Sequence, residues 1–356
     1  MRMCFITDIS TMDVFGLEFV NYFSKCNQVS VITLSGYDVS KVDSGVDVYR
    51  LRYGNRYGFL RVVRTVKQLL KNIEPDVIVS LNMDGHALVS ALSGFHPFVL
   101  FSYGSDVSYN MFLSFYRNIK FRFILFKADK VFSQDKMMLD RLLRVGVEPG
   151  KIEMMHWGVD TSFFYPNKRV EKVFDVINIH GYNTTFYRYV DLYLKALALL
   201  KDKGFFVKAV LLGNTGFYDD LIDELGIGDV LCQAGFQQRE EFRGLLWESR
   251  LLVDPMYPCF HDGCGFGMGL VQAMGCGTPV LCADRRGVLL DGVDRWFYGG
   301  VFRHCDVFDM VDKIMCLLGD EQMLETISYK NYFSVLKNFD KRKNMFCIED
   351  KIRGLV

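Results

Sequence analysis

The hydrophobic residues of the N-terminal half fall into short continuous runs that alternate with stretches of helical periodicity. Between the runs, residues 59–72 place apolar side chains three to four positions apart, with basic residues at the intervening positions. Short runs that are apolar throughout are typical of strands buried on both faces of a parallel sheet. The predicted strands are 3–7, 29–34, 47–51, 77–81, 98–102 and 130–133. The pattern therefore predicts an α/β domain with a parallel sheet.

The alternation breaks between residues 157 and 172 and then starts again. Residues 167–172 are polar and charged, which indicates a linker. Beyond it we predict a helix at 189–200 and strands at 176–179, 206–212, 230–236, 251–255 and 278–282. Two doubly wound domains in tandem are the simplest architecture. We assign the N-terminal domain to residues 1–160 and the C-terminal domain to residues 170–338. Residues 339–356 are predicted to form a C-terminal helix that could pack back on the first domain.

The composition and charge of the chain argue against several classes of function. The 356 residues contain 42 basic and 42 acidic side chains, so the formal net charge is zero and a nucleic-acid partner is not favoured. The N-terminus reaches Asp8 too early for a signal peptide, and no apolar run has the length of a membrane-spanning helix. The ten cysteines follow no disulfide-like spacing. We therefore expect a cytoplasmic protein with reduced thiols.

The segment 264–280 carries the most specific chemistry. Its glycines allow a ligand to approach the backbone closely, and a helix is predicted to begin near Met268 and to stop at Gly277. The free amides and the dipole at such a helix start favour a phosphate group. The same glycines could equally serve a helix-packing loop, so the glycines alone leave both interpretations open.

The segment resembles the signature of the family-4 retaining glycosyltransferases of the GT-B fold, E-G-F-G-L-x-x-x-E-A-M-A-x-G-x-P-V. Further family landmarks occur in the expected order along the chain. The matching positions are Gly265-Phe266-Gly267, Ala273-Met274, Gly277, Pro279-Val280, Gly158-Val159-Asp160 with Phe164 and Pro166, Gly104-Ser105-Asp106, Gly181, Arg188, Asp191, Gly213 and Gly235-Phe236. The resemblance implies two Rossmann-like domains that face a central cleft.

The resemblance also implies a reaction and the residues that perform it. The reaction is sugar transfer from a nucleotide-diphosphate sugar to a glycan or lipid-linked acceptor, with retention at the anomeric carbon, as in surface polysaccharide synthesis. The amides of Gly267 and Met268, together with Arg188, would hold the diphosphate. Tyr103, Asp106 and Arg188 are the catalytic candidates, although Tyr103 and Asp106 could equally be a core hydroxyl and a loop cap. The predicted donor-binding residues are Gly16, Gly181, Gly213, Phe236, Asp262, Cys264, Gly265, Phe266, Gly267, Met268 and Gln272.

Several positions depart from the family pattern. Cys264 and Gln272 replace the two glutamates of the E-x7-E pair. Gln272 can still make hydrogen bonds to a ribose. Cys264 is a poor substitute for the first glutamate, and Asp262, two residues earlier, could reach the same place. Tyr182 stands where the family has its diphosphate-binding arginine, and Tyr103 where it has a histidine. These departures leave the predicted fold unchanged but place the donor and the activity in question.

We expect no metal ion and no cofactor beyond the nucleotide-sugar substrate. The chain lacks the Asp-x-Asp motif of metal-dependent transferases. Cys259, His261, Asp262 and Cys264 have the side chains of a zinc site, but no second Cys/His pair follows at finger-like spacing. A glycine-rich loop with incidental thiols is the preferred interpretation.

Residues 111–144 combine eight basic and three acidic side chains with interleaved phenylalanines and a tyrosine. A basic, aromatic helix can lie on an anionic membrane surface, which would make the protein peripheral through residues 111–130 and favour a lipid-linked acceptor. A core helix with a solvated basic face explains the same pattern. Both interpretations remain open.

Two other functions fit the fold. Loss of both glutamates is compatible with a non-catalytic GT-B homologue that binds sugar nucleotides or a partner protein. A GT-B sugar-nucleotide epimerase is the other alternative, although the 158–160 and 273–280 motifs fit it less well. A dinucleotide-dependent oxidoreductase is more distant, since the glycines do not occupy the first βα turn of their domain.

Overall fold

A computed structural model describes the chain in two compact units. The described residues are 1–8, 14–34, 40–51, 56–83, 85–103, 105–108, 110–134, 136–180, 189–213, 216–256, 267–284 and 299–356. Of these, unit 1 contains residues 1–156 and 346–356, and unit 2 contains residues 157–345.

Unit 1 is built on a parallel sheet of seven strands in the order β3-β2-β1-β4-β5-β6-β7. The strands are β1 Arg2–Ile6, β2 Gln28–Thr33, β3 Asp47–Arg50, β4 Val77–Leu81, β5 Phe98–Phe101, β6 Lys130–Ser133 and β7 Ile152–Met154. The helices are α1 Val14–Phe23, α2 Arg56–Ile73, α3 Gly85–Ser93, α4 Ser105–Ser108, α5 Phe115–Lys127 and α6 Lys136–Arg144. The strand order reverses between β1 and β4, as in a doubly wound fold.

Both faces of this sheet are covered, which explains the continuous apolar runs. Cys4 and Ile6 of β1 join one core cluster with residues of α2, α3, α5 and α6. On the opposite face Phe5 packs against Phe23, and Phe101 stacks on Phe132 with ring centroids 4.6 Å apart. Successive side chains of a strand point to opposite faces, so a strand buried on both faces is apolar at every position.

The C-terminal segment of unit 1 is held by polar contacts. Asn27 donates to Glu349 at 3.0 Å and accepts from Arg353 at 3.1 Å. Lys351 lies 3.5 Å from Glu153 at the end of the sheet. Glu349, Lys351 and Arg353 belong to helix α13, Lys341–Arg353, whose first five residues fall in unit 2.

Unit 2 repeats the doubly wound plan with a parallel sheet of six strands in the order β10-β9-β8-β11-β12-β13. The strands are β8 Phe174–Asn178, β9 Ala209–Leu212, β10 Leu231–Gly235, β11 Ser249–Asp254, β12 Val280–Ala283 and β13 Gly300–Phe302. Its remaining helices are α7 Val190–Asp202, α8 Asp219–Glu224, α9 Arg239–Glu248, α10 Met268–Gly275, α11 Val307–Leu318 and α12 Glu321–Asn338. One core lies under α7 and α11, and the other under α9, α10 and α12.

The segment predicted as a linker is part of the packed body of unit 2. Val159 and Phe164 are buried in the core that contains α10. Gly158 has φ of +80°, and a Cβ there would lie 2.7 Å from the carbonyl oxygen of Phe339. The backbone of Val159 pairs with residues 339 and 341, donating to the Phe339 oxygen at 2.7 Å and accepting from Lys341 at 2.9 Å. The unit boundary falls between residues 156 and 157, ahead of this segment.

Arginine side chains tie the same segment to α9. The guanidinium of Arg243 lies 4.0 Å from the ring centroid of Phe163 and 4.4 Å from that of Trp247, and it donates to the Phe163 carbonyl at 3.1 Å. Trp247 in turn donates to the carbonyl of Tyr165 at 2.6 Å. These contacts explain why the aromatic residues 163–165 of this loop-like sequence are ordered. Among the described residues, no helix combines the length and the apolar character needed to cross a membrane.

Candidate functional site

The carboxyl ends of the parallel strands in unit 2 meet at one edge of its sheet. β8 and β11 are neighbours, and they flank the point where the strand order reverses. In doubly wound sheets, ligands bind beyond the strand ends at this reversal. The loops that leave these two strands therefore form the candidate binding edge.

Helix α10 begins at this edge, and its first amides have no partner among the described residues. Its first intrahelical bonds run from Leu270 and Val271 to the carbonyl of Gly267, at 3.0 and 3.4 Å. The amides of Met268 and Gly269 therefore precede the helical bonding pattern and, with the helix dipole, make a site for an anion.

The glycines of the signature have different roles. Gly267, the N-cap of α10, has an ordinary φ of −61°, and among the described residues a Cβ there would meet only Leu270, at 3.9 Å. A Cβ at Gly269 would overlap Cδ1 of Ile179, and one at Gly275 would lie 3.1 Å from the Phe164 carbonyl oxygen. Gly277 has φ of +75° after the helix end, a conformation that favours glycine. Within the described residues, packing and backbone geometry explain all of these glycines except Gly267.

Met268 and Gln272 lie one turn apart on α10. A spacing of four residues places them on the same face of the helix. Both are half-buried, whereas Leu270, Val271 and Ala273 between and beside them are fully buried. Gln272 is therefore accessible on the same side of α10 as Met268, one turn beyond the helix start.

The ends of β9 and β10 carry the residues predicted to contact the nucleotide base. Gly213 has φ of +134° and donates its backbone N–H to the carbonyl of Gly235 at 2.9 Å. Gly235 is also in the positive-φ region, with φ of +72°, and directly precedes Phe236. The ring of Phe236 is 75% exposed. An exposed aromatic at a strand end can stack on a planar base.

A buried ionisable pair lies beneath the candidate site. His180 follows β8 and Asp254 ends β11, and Nε2 of His180 is 3.2 Å from Oδ1 of Asp254. Asp254 is fully buried and His180 is 5% exposed. The backbone N–H of His180 donates to Asn178 Oδ1, and that of Met256 donates to Asp254 Oδ1, both at 2.9 Å. These hydrogen bonds hold both strand ends in place.

Sequence reasoning missed this pair, although a signal was present. Each residue is polar and directly follows an apolar run that predicts a buried parallel strand. Since carboxyl ends of neighbouring strands meet at one edge, a histidine and an aspartate at two such ends are candidates for contact. The sequence alone does not say that β8 and β11 are neighbours.

In unit 1, the predicted catalytic residues follow β5. Asp106 is 1% exposed, and its carboxylate accepts from Ser102 Oγ at 2.8 Å, from the Val107 amide at 2.9 Å and from the Tyr103 amide at 3.2 Å. These contacts are those of a loop cap, which was the alternative interpretation of Asp106. Tyr103 is half-buried, and Gly16 is buried in the first turn of α1.

The remaining predicted site residues lie outside the described part of the chain. They are Gly181, Arg188, Asp262, Cys264, Gly265 and Phe266, together with Cys259 and His261 of the possible zinc cluster. Their predicted roles stay predictions. Within the described residues, no group of three histidine, cysteine or carboxylate side chains could hold a metal ion.

Two buried thiols, those of Cys4 and Cys276, are poor nucleophile candidates. Burial raises the pKa of Cys4 and of Cys276 to about 12. Both thiols are therefore protonated near neutral pH, and only the thiolate is a strong nucleophile.

Comparison with known families gives two matches that do not overlap. The model described as glycosyl transferases group 1 matches residues 169–333, and the model described as glycosyl transferase 4-like matches residues 2–135. The first range contains α10 and the strand ends of unit 2, and the second contains Tyr103 and Asp106. No curated protein sequence matches the chain significantly.

Solved structures share the fold over the whole chain. Anabaena HepE in complex with UDP aligns with a TM-score of 0.82 at 16% identity and covers 100% of both chains. Sucrose-phosphate synthase from Thermosynechococcus elongatus has a TM-score of 0.80 at 15% identity, with 99% of this chain and 98% of that chain covered. The lipopolysaccharide outer core galactosyltransferase WaaB has a TM-score of 0.68 at 15% identity, with 98% of this chain and 100% of that chain covered. At these identities the likeness establishes the fold.

Proposed function

Because this chain is a family-4-like glycosyltransferase of the GT-B fold, we propose that it transfers a hexose from a nucleotide-diphosphate sugar to a glycan or lipid-linked acceptor. We further propose that transfer retains the anomeric configuration, requires no metal ion and serves surface polysaccharide synthesis on the cytoplasmic side of a membrane.

The open start of α10 carries this proposal. Gly267 lacks a side chain although neither its φ nor the described residues around it require glycine. A diphosphate bound there would accept hydrogen bonds from the amides of Met268 and Gly269 and would meet the positive end of the helix dipole. Phe236 offers an exposed ring for the base at another strand end of the same edge.

The chemistry follows from what a departing diphosphate needs. As the bond from the anomeric carbon to the diphosphate oxygen breaks, negative charge grows on that oxygen. Fixed amide donors stabilise this charge without reorganisation, and Arg188 is proposed to supply a cation. The acceptor hydroxyl attacks the anomeric carbon from the face that the diphosphate leaves and passes its proton to the departing diphosphate oxygen. Asp106 positions the backbone of Tyr103 in this scheme through its cap contacts.

The nucleotide and the acceptor are proposed from the relatives. HepE was determined with UDP, which supports UDP as the first nucleotide to test. WaaB is named as a lipopolysaccharide outer core galactosyltransferase, which supports a saccharide acceptor.

Helix α5 supports attachment to a membrane surface. Phe115, Ile119 and Phe126 lie along one side of the helix and are 82%, 52% and 75% exposed. The core-facing side carries the buried residues Phe121 and Ile124. The exposed side is therefore apolar as well as basic, which a solvated core helix does not require. We propose that residues 111–130 dock on anionic lipid.

A binding and turnover experiment tests the proposed function. Thermal unfolding is measured with UDP, GDP and dTDP and with their sugars, and the nucleotide sugar that stabilises the protein is then tested for release of its diphosphate with a glycan or lipid acceptor. A ligand present at a hundred times its Kd stabilises by about 2.7 kcal/mol. Binding without turnover would favour the non-catalytic homologue, and epimerised donor without transfer would favour the epimerase.

A further inference from the structure

We infer that helix α2 is a second docking surface for anionic lipid, and that it meets the membrane on the same side of unit 1 as α5. This inference rests on the membrane attachment proposed for residues 111–130, because it requires that this side of unit 1 faces a lipid surface.

Helices α2 and α5 cover the same face of the sheet in unit 1. Val66 and Leu70 of α2 are buried in one core cluster with Phe121 and Ile124 of α5, and α3 packs against both helices. Since both helices turn their apolar sides to this core, their exposed sides point away from the sheet in the same general direction. A flat surface that contacts the exposed aromatics of α5 can therefore also reach α2.

The three helices of this layer contain basic residues and no acidic ones. Five arginines and lysines lie in α2 and four in α5, whereas none of α2, α3 and α5 contains an aspartate or a glutamate. The acids that follow the two basic helices have other neighbours: Glu74 lies 3.5 Å from Arg2, and Asp129 lies 2.7 Å from His96. In a chain of zero net charge, this layer is therefore a local concentration of positive charge that favours an anionic partner.

The outer side of α2 is a stripe of cations that begins with one apolar residue. Leu60 is followed by Arg64, Lys67 and Lys71 at intervals of four, three and four residues, so all four lie along one side of the helix. The three cations are exposed, and Leu60 is 63% exposed. Within the described residues, none of the three cations makes an ion pair or a hydrogen bond through its side chain. Their charges are therefore available to a partner.

An anionic bilayer fits both the cations and the apolar residues of this layer. Like charges three or four positions apart repel each other along a helix, so the stripe weakens α2 unless anions face it. A bilayer offers negative headgroups in one plane and an apolar phase beneath them for Leu60 and for the aromatics of α5. A soluble polyanion would pair with the cations but would offer nothing apolar to Leu60. The combination of charge and apolar exposure therefore favours lipid.

Vesicle sedimentation in the absence of nucleotide tests this inference separately from sugar transfer. Vesicles of phosphatidylcholine with phosphatidylglycerol are compared with vesicles of phosphatidylcholine alone, using the variant Arg64→Gln/Lys67→Gln. The matched control is Lys25→Gln/Lys41→Gln, which removes two exposed charges from the opposite face of unit 1. Lys25 follows α1, which packs on that face, and the carbonyl of Lys41 accepts from Asn21 of α1.

We expect Arg64→Gln/Lys67→Gln to bind anionic vesicles about tenfold more weakly or worse, with a shallower dependence on salt, because two cations near the headgroups are lost. The control should bind like the unmodified protein, and both variants should keep its unfolding temperature, since the changed side chains are exposed. Unchanged binding by Arg64→Gln/Lys67→Gln, or an equal loss in the control, would overturn the inference.

A fluorescence measurement distinguishes lipid from a soluble polyanion. Leu60→Trp places an indole at the start of the stripe, and Phe206→Trp places one at an exposed position of unit 2. After subtraction of the signal of the unmodified protein, the emission of Leu60→Trp should shift to shorter wavelength with anionic vesicles and not with dextran sulfate, whereas that of Phe206→Trp should not shift. No shift of Leu60→Trp on vesicles that the protein binds, or the same shift with dextran sulfate, would exclude lipid as the partner of α2.

The outcomes for the unmodified protein separate the two proposals. If it binds neither kind of vesicle, the proposed membrane attachment and this inference both fail. If it binds anionic vesicles but neither binds a nucleoside diphosphate nor transfers a sugar, the proposed reaction fails and the docking surface stands. If Arg64→Gln/Lys67→Gln does not fold, the emission of Leu60→Trp decides.

Discussion

Gly267 and Gly269 stand two positions apart and lack a side chain for different reasons. Gly267→Ala meets no steric obstacle among the described residues, so it should cost less than about 1 kcal/mol of unfolding free energy. We expect the same change to weaken nucleoside diphosphate binding, because a methyl group would enter the open helix start. Gly269→Ala is the matched comparison: it overlaps Ile179 and should cost about 1–3 kcal/mol of stability. Chemical denaturation and calorimetry with UDP check both effects, and a Gly267→Ala protein that binds UDP normally would exclude this helix start as the diphosphate site.

Gln272 replaces a glutamate that the family resemblance assigns to the ribose. A half-buried amide on the accessible side of α10 can donate and accept one hydrogen bond each. We expect Gln272→Ala to lose about 1 kcal/mol of donor-binding free energy and Gln272→Glu to keep or improve it. Uridine and UDP titrations measure both. Much weaker donor binding by the glutamate variant would contradict the alignment at this position.

At the scale of a single element, α5 presents two different sides. Its buried side secures it to unit 1, so its exposed aromatics can be changed without disturbing the core. Phe115→Ser with Phe126→Ser should reduce binding to anionic vesicles at least tenfold, since each ring contributes about 1.5–3 kcal/mol when buried. Arg117→Glu with Lys120→Glu should reduce it further and weaken the salt dependence, at about 1 kcal/mol for each basic residue near the surface.

Vesicle sedimentation measures these changes. Phe206→Ser, a substitution of a ring that is 73% exposed on unit 2, is the matched control and should leave binding unchanged. Equal binding of the unmodified protein to neutral and anionic vesicles, or no binding to either, would mean that α5 is only part of the fold and would favour a soluble acceptor.

At the scale of the whole molecule, turnover should not depend on a metal ion. The proposed site stabilises the leaving diphosphate with amides, a helix dipole and a basic side chain, so a chelator should leave both UDP affinity and transfer rate unchanged. Assays with and without EDTA, followed by addition of manganese or zinc, check this. Activity that disappears on chelation and returns with manganese or zinc would instead support Cys259 and Cys264 as ligands.

Two doubly wound domains could be predicted from the apolar runs because a strand buried on both faces is apolar along its whole length. The start of α10 near Met268 was also predictable, since glycines, helical periodicity and a following proline are local signals. The strands β7 and β13 were not predicted from the sequence, because each has only three residues. The segment after residue 157 was predicted as a linker because its order depends on Arg243 and Trp247, which are far along the chain.

The sequence by itself determined the class of fold, the helix that can receive a phosphate and, through motifs spread along the chain, the family resemblance. Only the tertiary structure decided that packing or backbone geometry explains every described signature glycine except Gly267, that the Asp106 carboxylate accepts hydrogen bonds from its own loop, and that His180 meets Asp254. The physical reason is the range of the interactions. Periodicity and capping act within one or two turns of chain, whereas burial, close packing and ion pairing depend on which strands are neighbours in the folded sheet.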